Sequence, residues 1–219
     1  HLPGAFFMDV DEDLSSKPTE TSGRHPLPKK EDFKAKLESF GSNNDSTFII
    51  YDHGDNFSAG RLWFLLKYFS LGNAFIINGG FKSIASEGIE LSTEQPLAQR
   101  GSLELEERPE LLASFDEVKE FSANNNTDKM LIDSRSRERY LGLIEPLYSK
   151  AGHIPGAVSH FFEDNYYEDG KIKSIEELKS SFEKVKGKDL MVSCGSGVTA
   201  CANLVVLDEL GIEARLYPG

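Results

Sequence analysis

The segment His1-Leu2-Pro3-Gly4-Ala5 returns 152 residues later as His153-Ile154-Pro155-Gly156-Ala157. An internal repeat constrains a fold more than any local propensity does, because two copies of one sequence pattern fold as two copies of one structure. Five residues alone could be any turn, but a longer match follows. Residues 47–51 (TFIIY) lead through a helical stretch to Leu71-Gly72, an apolar run at 74–77 and Asn78-Gly79-Gly80. Residues 189–193 (DLMVS) lead through a helical stretch to Leu210-Gly211, a run at 214–216 and Tyr217-Pro218-Gly219. Both copies read strand, loop, helix, strand, and a chain of 219 residues has room for two domains.

Short apolar runs at 48–50, 74–77, 130–132 and 190–192 alternate with helical patterns. Such runs predict parallel strands buried on both faces, so each half is α/β. Ser114 with Glu117 and Ser174 with Glu177 have capping-box spacing, and Phe33, Leu37 and Phe40 give a further helix one apolar stripe. Residues 89–112, rich in Glu, Gln, Ser and Pro, lack a strong period and read as a linker. The second copy carries a strand at 129–133 before its His-x-Pro-Gly-Ala motif, whereas the first begins on the motif. The expected organisation is a first domain at 1–88 without its opening strand, the linker, and a second domain at 113–219 that stops just after its last strand.

The chemistry concentrates at Cys194. It ends an apolar strand and is followed by Gly195-Ser196-Gly197-Val198-Thr199 and then a helical pattern. Glycines at 195 and 197 let successive backbone N–H groups turn inward, and a helix N-terminus adds partial positive charge, so the loop can hold an anion around a nucleophilic sulfur. A small buried hydrophobe would also suit that position, and the loop alone does not choose. Cys201, two helical turns on among Ala and Leu, reads as core. In cysteine-dependent phosphatases an arginine six positions after the cysteine grips phosphate; here that position is Ala200.

The net charge of −12, from 24 Lys+Arg against 36 Asp+Glu, opposes binding to nucleic acid or anionic lipid, so an anionic substrate requires a locally positive pocket. Apolar runs are too short for a membrane helix. Two cysteines form no disulfide framework, which fits a reducing, cytoplasmic compartment, and neither they nor the scattered His25, His53 and His160 offer metal-ligand spacing. No cofactor or metal is expected.

The run Cys194-Gly195-Ser196-Gly197-Val198-Thr199-Ala200-Cys201 closely resembles the active-site loop of 3-mercaptopyruvate sulfurtransferases of the rhodanese family. Thiosulfate-preferring members carry basic residues after the cysteine. The segments 1–7 and 152–157 resemble the family's two turn motifs, and 216–219 the start of its C-terminal motif. The resemblance implies two tandem rhodanese-like domains, each a parallel sheet flanked by helices, with Cys194 carrying sulfur as a persulfide. Asp52 stands where the first copy's cysteine would be, so the resemblance makes only the second domain catalytic. It also implies that Arg139, with Arg135 nearby, binds the donor's carboxylate, that Gly195, Gly197, Val198 and Thr199 line the substrate site, and that Ser196 and His1 move protons together with an aspartate upstream of this chain. Pairing of the arginines with Glu138 or Glu145 is the plain alternative. Members often place a second arginine after a Glu-Pro pair; here Glu145-Pro146 leads to Leu147-Tyr148-Ser149-Lys150, and Lys150 is the substitute at hand. The implied partners are a small anionic sulfur donor and a thiol, cyanide or thioredoxin-like acceptor. Thiosulfate:cyanide sulfurtransfer and a non-catalytic binding module are the alternatives.

Overall fold

Apolar strands and amphipathic helices alternate along the chain, and the computed structural model describes residues 1–124 and 128–219. The first half runs α1 (Lys30–Ser39), β1 (Phe48–Ile50), α2 (Ser58–Tyr68), β2 (Ala74–Ile76) and α3 (Gly80–Ser86). The second runs α4 (Phe115–Ala123), β3 (Lys129–Asp133), α5 (Arg137–Tyr140), β4 (Val158–Ser159), α6 (Ile175–Ser181), β5 (Asp189–Ser193), α7 (Ala200–Glu209) and β6 (Ala214–Leu216). All strand pairs are parallel: β1 with β2 in the first half, and the order β4-β3-β5-β6 in the second.

Local chemistry sets the helix ends. Ser114 and Ser174 each accept the N–H of the glutamate three residues on, while the Glu117 and Glu177 carboxylates accept the serine N–H groups, two complete capping boxes. In α1, Phe33 and Leu37 lie one turn apart and are buried, with Glu31 and Asp32 in the first turn and Lys36 in the last, as the helix dipole favours. Phe40 falls at the helix end and stacks on Phe6, ring centroids 4.4 Å apart.

Burial on both strand faces holds in the second half, where Leu131, Ile132, Met191 and Val192 are at most 1% exposed. It fails in the first half: Ile49 is 58% exposed and Phe75 60%. The reason is layering. Phe121 and Val118 of α4 cluster with Met191 and Leu131 on one face of the large sheet; β1 and β2 are covered by α2 on the face that carries Ile50, while Ile49 and Phe75 belong to neither buried cluster.

The two halves share one core. Phe33, Phe64, Leu65 and Phe69 of the first belong to the same buried cluster as Val192, Leu204 and Leu207 of the second. Helices α2 and α7 meet closely: a Cβ on Gly60 would lie 3.2 Å from the Ala202 nitrogen, so a bulkier residue would push the helices apart. Residues 89–112 contain one short 3-10 turn, Pro109–Leu111. The segment is pinned where the Glu38 carboxylate accepts the Leu103 N–H at 3.0 Å and an Arg100 N–H at 2.9 Å.

Candidate active site

Strand β5 sits between β3 and β6, and its carboxyl end delivers Cys194 to the sheet edge where α/β folds place their ligands. The loop then folds back so that the N–H groups of Gly197 and Ser196 point at Cys194 Sγ, at 3.1 and 3.4 Å. Backbone N–H groups converging on one point make a cradle that suits a negatively charged group. Gly197 is sterically required, and at Gly195 an added Cβ would crowd a side chain that must give by a few tenths of an ångström. Gly197 has φ +74° and its Cβ position lies 2.9 Å from Pro218 Cα; a Cβ on Gly195 would lie 3.0 Å from the Tyr148 ring. Val198 is buried and Thr199 half-buried at the entry to α7, and the Thr199 side chain makes no capping bond.

Ser196 is 5% exposed, and its hydroxyl reaches across to the first half, where His25 Nδ1 lies 2.7 Å away. His25 Nε2 is in turn 2.7 Å from Asp11 Oδ1. With the ring proton on Nε2 toward the carboxylate, Nδ1 accepts the serine hydroxyl, a hydroxyl–imidazole–carboxylate chain able to move a proton. A tight turn places Asp11: the Asp9 carboxylate accepts the Asp11 and Glu12 N–H groups, and Asp13 accepts the Asp9 N–H.

The structure does not bring His1 to Ser196. The His1 Nδ1 lies 2.8 Å from the Leu2 carbonyl and its ammonium donates to the Ser92 carbonyl at 3.1 Å. The repeat explains this, since His153 likewise spends its Nδ1 on the Tyr140 carbonyl at 2.8 Å and stacks on the Tyr140 ring. His1 is spent within its own turn, and His153 ties its turn back to Tyr140. The histidine that meets Ser196 is His25, farther along the chain, and the carboxylate that meets His25 is Asp11, within the chain.

What holds this segment in place is Arg61 of α2, fully buried. It donates through Nε and Nη2 to the Leu14 carbonyl at 3.2 and 3.1 Å, through Nη2 also to the His25 carbonyl at 3.1 Å, and through Nη1 to the Gly197 carbonyl at 3.4 Å. One guanidinium thus ties the histidine and the cysteine loop together. Burial pulls its pKa below the ordinary arginine value, and no carboxylate pairs with it among the described residues; an arginine stays charged in proteins nonetheless.

The second-half arginines form a closed set. Arg139 grips Glu145 through Nη2 at 2.8 and 3.0 Å and Nε at 3.3 Å, and Arg135 binds Asp133 at 2.6 Å and Glu145 at 3.3 Å. Burial raises the Glu145 carboxyl pKa, but the Arg139 hydrogen bonds, the Leu147 N–H and the two arginine charges carry it below its ordinary range. Arg139 still borders the loop, its Nη2 3.5 Å from the Cβ position of Gly195. The Tyr148 hydroxyl donates to the Gly195 carbonyl, and Lys150 is exposed.

Cys201 is buried, donates to the Gly197 carbonyl at 3.1 Å, and has its thiol pKa pushed up to about 12 by burial. In the first half, the Asp52 carboxylate accepts the Gly54 N–H at 2.9 Å and the Ala59 N–H at 3.4 Å, filling its own loop as sulfur does in the other copy; burial raises its pKa. No group of three metal-ligating side chains occurs among the described residues, and none of their helices is long and apolar enough to cross a membrane. Sequence reasoning missed Asp11, His25, Arg61 and Tyr148, which act through long-range contacts that leave no local pattern.

The sequence model of the rhodanese-like domain matches residues 1–87 and 114–219. A Pseudomonas aeruginosa protein named probable 3-mercaptopyruvate sulfurtransferase is 33% identical over 226 residues, spanning this whole chain and 79% of that protein. The thiosulfate sulfurtransferase of Bos taurus is 34% identical over 211 residues, 92% of this chain and 69% of that protein. The crystal structure of SseA from Escherichia coli, described as a 3-mercaptopyruvate sulfotransferase of rhodanese fold, superposes with a TM-score of 0.87 at 31% identity, over this whole chain and 82% of that one.

Proposed function

This chain belongs to the rhodanese family, with two copies of the family's α/β domain, and from that premise we propose that it is a sulfurtransferase that takes sulfur from 3-mercaptopyruvate onto Cys194 and passes it to a thiol or cyanide. The observation that carries the reading is Cys194 Sγ held by two backbone N–H groups beside the Ser196–His25–Asp11 chain.

The Cys194 thiolate attacks the donor sulfur, forming an S–S bond while the C–S bond breaks. The electron pair of that bond goes to the methylene carbon, giving the enolate of pyruvate, which takes a proton from the Ser196 hydroxyl; the proton given up by the donor's own S–H, which is left as the persulfide anion, returns to Ser196 by way of His25, held by Asp11. The persulfide sits in the loop of Gly195, Ser196, Gly197, Val198 and Thr199, whose N–H groups stabilise negative charge on sulfur. A second thiolate, from a small thiol or a thioredoxin-like protein, then attacks the outer sulfur, and the Cys194 thiolate leaves. Arg139, the arginine expected to bind the donor's carboxylate, borders the loop with Arg135 behind it, both paired with carboxylates in the free protein. A reducing, cytoplasmic setting suits a reaction that consumes free thiols. The domain assignment is 1–88 and 113–219 about a linker at 89–112; the first domain has no nucleophile of its own, because a carboxylate at Asp52 cannot form a persulfide, and it contributes His25 and Asp11 to the site of the second.

The loop after Cys194 bears no basic residue, which favours mercaptopyruvate over thiosulfate; the similarity to the Bos taurus protein supports thiosulfate as the second donor. The test is pyruvate release from 3-mercaptopyruvate with a thiol acceptor, for the wild type and Cys194→Ser, with thiosulfate and cyanide in parallel. Cys194-dependent pyruvate release above the thiosulfate rate is expected. A faster thiosulfate rate transfers the assignment to that donor, and no Cys194-dependent turnover of either leaves an anion-binding module.

A further inference from the structure

Three guanidinium groups gather where the catalytic loop opens to solvent, and their charges are not equally spent. Arg139 and Arg135 face two carboxylates, Glu145 and Asp133, so within that cluster two positive and two negative charges cancel. The third is Arg24, contributed by the first half and adjacent in sequence to His25. It is exposed, and its Nε donates to the Tyr148 hydroxyl at 3.0 Å. Its Cζ lies 5.5 Å from the Tyr148 ring centroid, and Arg139 approaches the same ring at 5.9 Å. The Tyr148 hydroxyl also meets the carbonyl of Gly195, the residue after Cys194. Among the described residues Arg24 has no carboxylate partner, and its two terminal amino groups make no hydrogen bond.

From this arrangement we infer that Arg24 is a specificity-determining residue that docks the carboxylate of the sulfur donor across the junction of the two halves. The inference rests on the reading that the donor is a mercapto 2-oxo acid and names the contact that selects it. A chain of net charge −12 repels an anionic donor unless a local positive charge is left uncompensated. A guanidinium presents paired N–H donors that match a carboxylate bidentately. The bond from Nε to Tyr148 and the aromatic face beneath fix the fork in advance, so little side-chain entropy is lost on binding. Lys150, the substitute offered by the sequence, is a point charge in an exposed segment.

The test compares two donors in the full chain: 3-mercaptopyruvate, and 1-mercaptopropan-2-one, in which a methyl group replaces the carboxylate. Arg24→Ala is expected to raise KM for 3-mercaptopyruvate about tenfold, the scale of one charge-assisted hydrogen bond, with kcat nearly unchanged. KM for the neutral donor is expected to stay within about twofold. Arg24→Lys recovers part of the loss. Because the side chain is exposed, the variants fold; an unaltered melting curve checks this. Equal KM shifts for both donors, or none for either, overturn the role of Arg24 while leaving the sulfurtransferase reading intact. A wild type that neither releases pyruvate nor gains one sulfur atom on Cys194 overturns that reading and this inference with it.

Discussion

Replacing Arg61 by methionine tests how the two halves are held in register. The side chain is fully buried, so methionine fills much of its volume while removing every donor. Four carbonyls are affected, unequally: those of Leu14, His25 and Gly197, and that of Pro26, which accepts from Nη2 at 3.4 Å. Pro26 keeps the Ser16 N–H at 3.0 Å, and Gly197 keeps the Cys201 thiol at 3.1 Å. The Leu14 and His25 carbonyls lose the donors that Arg61 gave them. Leaving a buried acceptor unsatisfied costs about 1–3 kcal/mol, so two cost about 2–6 kcal/mol. Removing a buried charge returns part of this, since burying one unpaired costs several kcal/mol. The net expectation is a destabilisation of about 2–4 kcal/mol, read as a lower urea midpoint at unchanged slope. Activity should fall further than the folded fraction does, because the same guanidinium sets the His25 and Gly197 carbonyls. A midpoint shift worth less than about 1 kcal/mol, with full activity, would refute the argument and mean that the two carbonyls find other partners.

Other substitutions separate the parts of the site. His25→Asn is expected to lower kcat for 3-mercaptopyruvate by about 100-fold, the scale of general acid–base assistance, with Cys194 alkylation by iodoacetamide retained; steady-state kinetics and alkylation rates check both halves of that statement. Mass spectrometry of the native protein after brief alkylation should find one label, on Cys194, because Cys201 is buried and its thiol pKa is about 12. Glu117, which caps α4 and binds Arg215 at 2.6 Å, has its carboxyl held down at about 2, chiefly by that arginine. A depressed carboxyl pKa stabilises the fold above the ordinary value of 4.5 and loses its effect as pH falls toward 2. Melting curves should therefore show Glu117→Gln less stable than wild type at pH 7, with the gap closing between pH 4.5 and 2. A gap that persists at pH 2 would contradict the assignment.

Sequence patterns carried local structure well and long-range structure poorly. The alternation of strands and helices along each repeat and both capping boxes were legible, because each depends on residues a few positions apart. The cradle at Cys194 was legible for the same reason, its geometry being set by the glycines that follow it. His25 was not, since its partners Ser196 and Asp11 are supplied by folding, and a histidine in an aperiodic loop carries no mark of what it meets. The motif histidine His1 drew attention through repetition, and repetition here reports the architecture of a turn. Exposure of Ile49 and Phe75 was hidden for a related reason: an apolar strand signals that it can be covered, and the covering layer comes from elsewhere.

The bond between Ser196 and His25 crosses the seam of the two halves, and this makes the seam a clutch. In the proposed mechanism the sulfur and Ser196 ride on one half and the histidine behind that serine on the other, so turnover is coupled to the free energy of docking them. A displacement of about 1 Å along the α2–α7 contact would uncouple the relay without disturbing either fold. Substitutions at Gly60, remote from sulfur chemistry and harmless to each half's own sheet, should then act as throttles, slowing turnover in proportion to how far they wedge the halves apart.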